Sequence, residues 1–413
     1  MNKNKLFSSR DRPVPPLRRD IQLIPLQNNG NNLLFFHDLL GYAPGNFALD
    51  ATAEPVLSLI NGKYSIRQIS HILKGKIGPS ELLDFVQLLD QNCLLESDFY
   101  KKTANETEIA FEANPVRPAA LAGDSYPADP SELEEYTGKI LSAKIGTKPG
   151  RNLKALYAPH IDPNVGAKVY GSAFTWLAGL KPKRVVILAT AHYTGYYPSL
   201  YQDKPFIGSV KTFELPGTNF DTDTPYLQAL ESTGKEMGFT LQDRAHRIEH
   251  SIELHLLFLS GIWKHEFRIV PILVNNFEDL LYMDEGDLGQ KVDRFSEKLQ
   301  ELDNEETFYL VSGDLSHVGK KFGDREAATA MKSGVLEFDK QFMKLASANQ
   351  NRELLLHMQS QYDRYRICGF PPLYTFLNAF PGLDGEEIDY FWWDEKERES
   401  AVSFGAIGYR TPE

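Results

Sequence analysis

The sequence predicts an α/β protein in which a helix-flanked sheet follows a small, mainly helical N-terminal domain. The chain has 413 residues, which exceeds the usual size of one domain and suits a small domain plus a large one. Two apolar runs, residues 154–160 and 184–192, each end on a histidine and are typical of buried parallel strands. Residues 169–180 between them are apolar at helical spacing. This spacing predicts a crossover helix, which completes a β-α-β unit.

The composition limits the functional classes. The formal net charge of −12 argues against nucleic acid as a partner, because phosphate binding requires a basic surface. No apolar run approaches the length of a membrane-spanning helix, so we expect no membrane partner. The basic N-terminus lacks the apolar core of a signal peptide. Two cysteines in a chain of this length do not form a disulfide framework, so a reducing, cytoplasmic location is expected.

The N-terminal part is predicted to contain three segments. Residues 1–20 carry several arginines and prolines, which indicates a flexible arm. Residues 21–100 predict three helices and a trailing strand, an arrangement typical of a winged-helix-like module. One of these helices has a capping box, with Ser65 as N-cap and Gln68 three residues later. The polar residues 101–117, which include Pro115, predict a linker.

The N-terminal module resembles the small peptide-binding domains of the PqqD type. The resemblance lies in residues 59–69, Leu-Ile-Asn-Gly-Lys-Tyr-Ser-Ile-Arg-Gln-Ile, and in residues 88–96, Leu-Leu-Asp-Gln-Asn-Cys-Leu-Leu-Glu. It implies that a peptide binds to this domain. Cys93 lies at the apolar end of its helix, where a buried core residue is expected rather than a reactive thiol.

The large domain, residues 118–413, is predicted to start with a helix that has Asp129 as N-cap and proline at the next position. Two further apolar runs, 267–274 and 307–312, predict additional buried strands. Near the C-terminus, residues 387–393 and 401–410 alternate in polarity and predict two antiparallel strands.

Another helix is predicted over residues 246–259. Its buried face is expected to carry Ile252, Leu256 and Leu259. Four-residue spacing is expected to place two carboxylates on another face near a histidine: Glu249, Glu253 and His250. The segment is not the H-E-x-x-H motif of zinc proteases, because His250 and His255 are five residues apart and diverge around a helix.

Five histidines of the large domain lie at predicted strand ends or on this helix: His160, His192, His250, His255 and His317. Taken singly, each is more often a core or surface histidine than a ligand. Together they favour a site at the carboxyl edge of the sheet. Because we expect a crossover between adjacent strands, His160 and His192 should lie within reach of one ion. Two imidazoles and a third donor suit iron, copper or zinc, and Cys368 is either a thiolate ligand or a buried small hydrophobe.

Six motifs of the large domain carry a further resemblance. They are Ala122-Gly123-x-x-Tyr126-Pro127, Pro159-His160-Ile161-Asp162, Ala191-His192, Glu249-His250-Ser251-Ile252-Glu253, Ser312-Gly313-Asp314-Leu315-Ser316-His317-Val318-Gly319 and Ile367-Cys368-Gly369. In this order they resemble the Memo family, in particular its bacterial branch, called AmmeMemoRadiSam system protein B. The fold of this family is similar to that of the class III extradiol dioxygenases, which are non-haem iron enzymes.

The resemblance implies residue roles. The implied ligands of a mononuclear metal, copper or iron with zinc as a further option, are His160, His192 and Cys368. The implied acid–base residue is His317. The remaining residues expected in the catalytic pocket are Asp314, His250 and Glu249. Two departures from the family pattern are Asp124-Ser125 in the first motif and Asp162, whose carboxylate leaves the ligand set open.

Two functional hypotheses follow. The first is a cytoplasmic, metal-dependent redox enzyme that resembles the class III extradiol dioxygenases, with His317 moving a proton. The second is a non-catalytic metal- or peptide-binding partner. The family name implies the company of a radical S-adenosylmethionine (radical SAM) protein and of AmmeMemoRadiSam system protein A.

Overall fold

The computed structural model describes residues 5–28, 30–142, 152–282 and 286–412. The chain divides into two compact units, Met1–Ala113 and Asn114–Glu413, which we call the N-terminal unit and the C-terminal unit. No helix in the described residues is long and apolar enough to cross a membrane.

In its described residues, the N-terminal unit combines a small antiparallel sheet with four α-helices. Its strands are β1 (Ile21–Asn28), β2 (Asn31–Asp38) and β3 (Ala48–Asp50), in the order β1-β2-β3. Its helices are α1 (Glu54–Leu57), α2 (Ile66–Ile72), α3 (Pro79–Gln91) and α4 (Asp98–Ala113). The predicted capping box of α2 is confirmed, since Ser65 and Gln68 exchange side-chain to backbone hydrogen bonds.

Three expectations for this unit differ from the structure. The unit was expected to be mainly helical, but it also contains the β1–β2 hairpin. Sequence patterns did not predict this hairpin, because apolar and polar residues do not alternate regularly in β1, which exposes Leu23 and Leu26. The expected flexible arm over residues 1–20 is wrong for its described part. Val14 is buried and Arg18 donates its backbone N–H to the Leu94 carbonyl at 3.0 Å.

The expected linker over residues 101–117 is also wrong for most of its length. Residues up to Ala113 belong to α4, which buries Ala104, Glu108 and Phe111 at helical spacing and exposes its charged side. The polarity of the sequence therefore indicated a solvent-exposed helix face rather than an irregular segment. Cys93 is buried, in line with its expected core position.

The C-terminal unit is built around a nine-stranded sheet in the order β10-β7-β11-β6-β12-β5-β15-β13, with β14 paired to β15. A smaller sheet has the order β4-β8-β9. The strands are β4 (Val116–Arg117), β5 (Leu153–Ala158), β6 (Arg184–Thr190), β7 (Phe206–Gly208), β8 (Thr212–Leu215), β9 (Thr218–Phe220), β10 (Phe239–Thr240), β11 (Arg268–Val274), β12 (Thr307–Ser312), β13 (His317–Gly319), β14 (Asp384–Glu395) and β15 (Ser400–Arg410).

Helices cover both faces of this sheet. They are α5 (Pro130–Ser142), α6 (Pro163–Phe174), α7 (Pro198–Tyr201), α8 (Thr224–Glu231), α9 (Gly234–Met237), α10 (Glu253–Ile262), α11 (Glu278–Tyr282), α12 (Asp287–Glu301), α13 (Ala328–Ser347), α14 (Asn351–Gln359) and α15 (Phe370–Ala379). Alternate residues of β6 enter two separate cores. Leu188 packs with residues of α12 and α15, whereas Ile187 packs with residues of α6 and α10.

The strands β5, β6, β11 and β12 lie where the apolar runs predicted them, and β14 and β15 form the predicted antiparallel pair. One topological expectation is wrong, since β5 and β6 are not adjacent. The later strand β12 pairs in parallel with both and separates them. The crossover from β5 through α6 to β6 therefore leaves room for one strand between them, and β12 occupies that place in the sheet. The carboxyl ends of the three strands still meet at one edge of the sheet.

Candidate metal centre

His160 lies just beyond the carboxyl end of β5 and is 2% exposed. Its Nδ1 lies 3.1 Å from the Ser312 hydroxyl oxygen, and that hydroxyl donates to the Ser251 carbonyl at 2.6 Å. Because the Ser312 proton is used in this way, the hydroxyl accepts from Nδ1–H of His160. The lone pair of His160 therefore lies on Nε2, which faces the Cys368 Sγ at 3.4 Å.

His192 lies at the corresponding end of β6. Two of its hydrogen bonds go to Glu249, one from the backbone N–H at 2.8 Å and one from Nδ1 at 2.9 Å. A carboxylate only accepts, so Nδ1 carries a proton and Nε2 is the atom that can bind a metal. The side chain is 29% exposed, which makes it the more accessible of the two histidines.

Cys368 lies two residues before α15, whose N-cap is Gly369. A close contact between two glycine backbones brings this segment to the end of β12. A Cβ atom at Gly313 would overlap Gly369, and a Cβ atom at Gly369 would overlap the Tyr157 hydroxyl. Both positions therefore require glycine. Thr190 anchors the same segment by donating to the Cys368 carbonyl at 2.8 Å.

The structure brings His160, His192 and Cys368 together. Their candidate ligand atoms all lie within 4.8 Å of one another, and the two imidazole rings are 4.9 Å apart at 84°. Donors that share one tetrahedral ion at metal–ligand distances of about 2.0–2.3 Å lie roughly 3.3–3.7 Å apart. The 3.4 Å separation of His160 Nε2 and Cys368 Sγ fits this range. The donor set, with two oriented imidazoles and one thiol, fits a transition metal.

Glu249 and His250 lie before a helix rather than on one. α10 begins at Glu253, so the expectation that Glu249 and Glu253 share a helical face is wrong. The Glu249 carboxylate accepts backbone N–H groups of His250 at 3.0 Å and Ser251 at 3.2 Å, which turns the chain there. The His250 ring stacks on His192 at 4.7 Å and 19°, so His250 and Glu249 both border the centre.

The charges at the centre are strongly coupled. Burial disfavours ionisation of Glu249, but His192 outweighs it and lowers the pKa of Glu249 to about 2. Burial likewise disfavours an imidazolium at His192, and the Glu249 carboxylate outweighs burial and raises the pKa of His192. Burial and the neighbouring imidazoles lower the pKa of His160, and burial raises the pKa of Cys368. The negative charge of Glu249 favours a proton on His192, and for the same reason it favours a metal cation at His192 Nε2.

Asp314 and His317 form the other border of the centre. Asp314 accepts the His160 backbone N–H at 3.0 Å, and burial raises the pKa of its carboxyl to about 7. His317 places Nδ1 3.0 Å from two carbonyls, those of Leu315 and Arg366. Nδ1 is therefore a donor and Nε2 is an acceptor. Burial lowers the pKa of His317 to about 4, so its imidazole is neutral at neutral pH.

Two polar residues near the centre, Asp162 and His255, stabilise the backbone and do not point a ligand atom at the centre. The Asp162 carboxylate accepts the Asn164 N–H at 2.8 Å as N-cap of α6, which begins at Pro163 rather than at the expected residue 169. His255 is fully buried and its Nε2 donates to the Pro159 carbonyl at 2.8 Å, which fixes the backbone before His160. Neither belongs to a group of converging ligand atoms in the described residues.

Sequence reasoning missed the contribution of Ser312 and Thr190. Their position as the last residues of β12 and β6 was the available signal, since hydroxyls there can reach the neighbouring chain segments.

A cleft of about 400 Å³ opens over His192 and Cys368. Its apolar lining includes Val274, Phe277, Leu281, Ile367, Phe370 and Pro371.

The sheet and this cluster define a class: an α/β protein with a candidate His-His-Cys centre at the carboxyl edge of its parallel strands. The chain belongs to the Memo family, because the family described as Memo-like protein matches residues 117–411. The large sheet flanked by helices is consistent with the Memo fold.

Individual relatives agree with this assignment. A MEMO1 family protein of Aquifex aeolicus is 26% identical over 364 residues, which cover 85% of this chain and 89% of the relative. One of Thermus thermophilus is 27% identical over 332 residues, 79% of this chain and 92% of the relative. An uncharacterized Escherichia coli K12 protein of known structure has 13% identity and a TM-score of 0.38, over 62% of this chain and 99% of its own.

Proposed function

We propose that this protein is a metal-dependent redox enzyme with a mononuclear centre formed by His160, His192 and Cys368. One observation carries the proposal. Each histidine uses Nδ1 in a hydrogen bond to an acceptor, Ser312 or Glu249, and therefore keeps Nε2 for a metal beside the thiol. Metal-binding histidines usually show this arrangement, in which the second nitrogen is held by a protein acceptor.

The chemistry of the donor set favours copper or iron, with zinc as a further option. A soft thiolate beside two imidazoles suits these metals better than magnesium or calcium, which prefer oxygen ligands. When bound, a copper or iron ion would supply a redox-active Lewis acid at the base of the cleft. The neighbouring Glu249 charge supports any cation held there, because the carboxylate is buried and bonded to His192.

His317 is proposed as the acid–base residue. Its two carbonyl partners hold the proton on Nδ1, so Nε2 can accept a proton from a substrate hydroxyl. One of its ring nitrogens lies within 4.8 Å of a carboxylate oxygen of Asp314 and of the Cys368 Sγ. Asp314, His250 and Glu249 are proposed to hold the pocket and its charge. The class III extradiol dioxygenases use a comparable division between metal-binding and proton-transferring groups, which is the basis of the proposed reaction class.

The test is metal analysis of the full chain after anaerobic purification. We expect about one copper or iron per chain in the wild type and loss of stoichiometric metal in His160→Ala and His192→Ala. Cys368→Ser should weaken binding or shift it toward harder metals, because a hydroxyl replaces a thiolate. Cys93→Ser is the matched control, since Cys93 is the other cysteine and lies in the N-terminal unit.

Two results would contradict the proposal. One is a folded His160→Ala protein that keeps wild-type metal content. The other is equal metal loss in Cys93→Ser and Cys368→Ser, which would show that the metal binds through general thiol affinity rather than at the designated centre.

A second candidate function is a non-catalytic, peptide-binding partner of a radical SAM system. In this proposal the protein is an AmmeMemoRadiSam system protein B in the cytoplasm, and its partners are a radical SAM protein and AmmeMemoRadiSam system protein A. The supporting observation is that β1 lies at the edge of its sheet and exposes Leu23 and Leu26 by 41% and 45%. An apolar edge strand suits the addition of an extended peptide, as expected for a PqqD-like domain.

Leu23→Lys with Leu26→Lys tests the second candidate. We expect the double variant to lose co-purification with the radical SAM protein and to keep its metal. Unchanged co-purification would contradict a role of β1. Loss of metal without loss of co-purification in His160→Ala would show that the two candidate functions are independent.

A further inference from the structure

We propose that Arg366 is a positioning residue that fixes the His317 imidazole relative to Cys368. The inference deepens the proposed function, because it concerns the acid–base histidine and the thiol of the same centre. Arg366 lies on the segment between α14 and α15, two residues before Cys368. It contacts His317 through its backbone and through its side chain.

The backbone contact helps to hold the ring proton of His317 on Nδ1. The Arg366 carbonyl lies 3.0 Å from His317 Nδ1, and the Leu315 carbonyl lies at the same distance. The adjacent Tyr365 carbonyl accepts the His317 backbone N–H at 2.7 Å. Arg366 and Tyr365 belong to the segment between α14 and α15, which we call the Cys368 segment. Two successive carbonyls of this segment thus accept hydrogen bonds from the ring and from the main chain of His317.

The Arg366 carbonyl reaches this position because the residue adopts the left-handed conformation, with φ of 54°. This conformation is unfavourable for a side chain such as arginine and persists only where surrounding contacts enforce it. Tyr362 and Asp363 in the same segment are also left-handed. The segment is therefore held by its contacts rather than by local preference.

The Arg366 guanidinium supplies such a contact. It donates to both carboxylate oxygens of Asp324, at 3.1 Å and 2.9 Å, and to the His317 carbonyl at 3.1 Å. Asp324 is itself anchored to the end of β13, since it accepts the Gly319 N–H at 2.8 Å. The pair thus fastens the Cys368 segment to the strand that carries His317.

This pair is better suited to positioning than to stability. The Arg366 side chain is 40% exposed, and exposed ion pairs contribute little to the free energy of unfolding. Its geometry is specific, however, because a bidentate contact fixes the orientation of a planar guanidinium. Removal of the side chain should leave the fold intact and free the segment.

The test compares Arg366→Asn with Arg364→Asn in the full-length protein. Asparagine tolerates the left-handed conformation, so Arg366→Asn removes the guanidinium without adding backbone strain. Asp324→Asn is the second variant and removes the charge of the partner. Arg364 lies in the same segment and its guanidinium packs over Tyr365, which makes it a matched control.

The first readout is the ring tautomer of His317 by ¹⁵N NMR on metal-free protein, assigned with His317→Gln. We expect the wild type and Arg364→Asn to show the single Nδ1–H tautomer, and Arg366→Asn and Asp324→Asn to show loss of that pattern. A single tautomer in folded Arg366→Asn and Asp324→Asn would overturn the proposal. Equal loss in Arg364→Asn would overturn it too.

The second readout is the affinity for Co²⁺, followed by the absorption of its thiolate complex. We expect about a tenfold weaker affinity in Arg366→Asn and Asp324→Asn, by analogy with other residues that orient metal ligands, and no change in Arg364→Asn. Unchanged affinity in both variants would overturn the part of the proposal that concerns Cys368. Absence of Co²⁺ binding in the wild type would refute the proposed function, while the tautomer measurement would still decide the role of Arg366.

Discussion

Glu249 and Glu253 are four residues apart, equally buried and chemically identical, yet they serve two different regions of the molecule. Glu249 borders the candidate metal centre and pairs with the His192 ring and with three backbone N–H groups. Glu253 pairs with Arg117, the Tyr126 hydroxyl and two other backbone N–H groups. What separates their roles is the partner that balances the buried charge.

The balance at Glu253 is permanent. Arginine remains protonated at any physiological pH, so the Arg117–Glu253 pair is fixed and joins the start of the C-terminal unit to α10. The balance at Glu249 depends on an imidazole, which exchanges protons and binds metals. A buried carboxylate with an exchangeable partner is therefore typical of a functional site, whereas one with a permanent partner is typical of a structural clamp.

Glu253→Gln should produce the largest effect on stability. The substitution leaves the Arg117 guanidinium buried without its carboxylate, and breaking one side of a buried ion pair costs about 3–5 kcal/mol. Urea unfolding measures this loss. Glu266→Gln, the same chemical change at an exposed position, is the control and should cost little. A loss below about 1 kcal/mol for Glu253→Gln would show that the pair is not a clamp.

Ile252→Ala and Leu256→Ala should have the next largest effects. Both side chains are buried in the core that contains α6 and α10, and truncation there costs on the order of 2–5 kcal/mol. His250→Ala should leave the free energy of unfolding nearly unchanged, because its side chain is 26% exposed and its ring stacks on His192 at the centre. Thermal unfolding of the three variants would distinguish them. Equal losses would indicate that His250 is a packing residue.

Glu249→Gln should weaken metal binding in a protein that still folds. Loss of a carboxylate that orients a metal-binding histidine typically weakens metal affinity about 10–100-fold. Glutamine keeps one acceptor for the His250 and Ser251 N–H groups, so the turn should persist. Competition with a chelator measures the affinity. If Glu253→Gln, once folded, weakened metal binding as much as Glu249→Gln, the proposed difference between the two carboxylates would be refuted.

Acid titration should give the most specific difference. The pKa of Glu249 is lowered to about 2 in the folded protein, so its stabilising contribution is complete above the usual glutamate pKa and is lost as the pH falls toward 2. The difference in free energy of unfolding between wild type and Glu249→Gln should therefore shrink as the pH decreases from about 4.5. A difference that is constant over this range would contradict the lowered pKa.

The parallel strands of the central sheet could be predicted from the sequence because each is a continuous apolar run. Their order could not, since no local feature of β12 indicates that it inserts between β5 and β6. The same limit applies to Glu253, whose partner Arg117 is 136 residues away. Only the family resemblance placed Cys368 near the two histidines, because its position depends on a tertiary contact.

The contact between Gly313 and Gly369 also bears on the order in which the centre assembles during folding. Strand pairing brings His160 and His192 together. Cys368 lies more than 50 residues after Asp314 in the chain and joins the centre only when its segment packs against the end of β12. A collapsed but unclosed chain would offer two imidazoles without the thiol and would bind metal weakly. Tight metal binding would thus mark the completed native state.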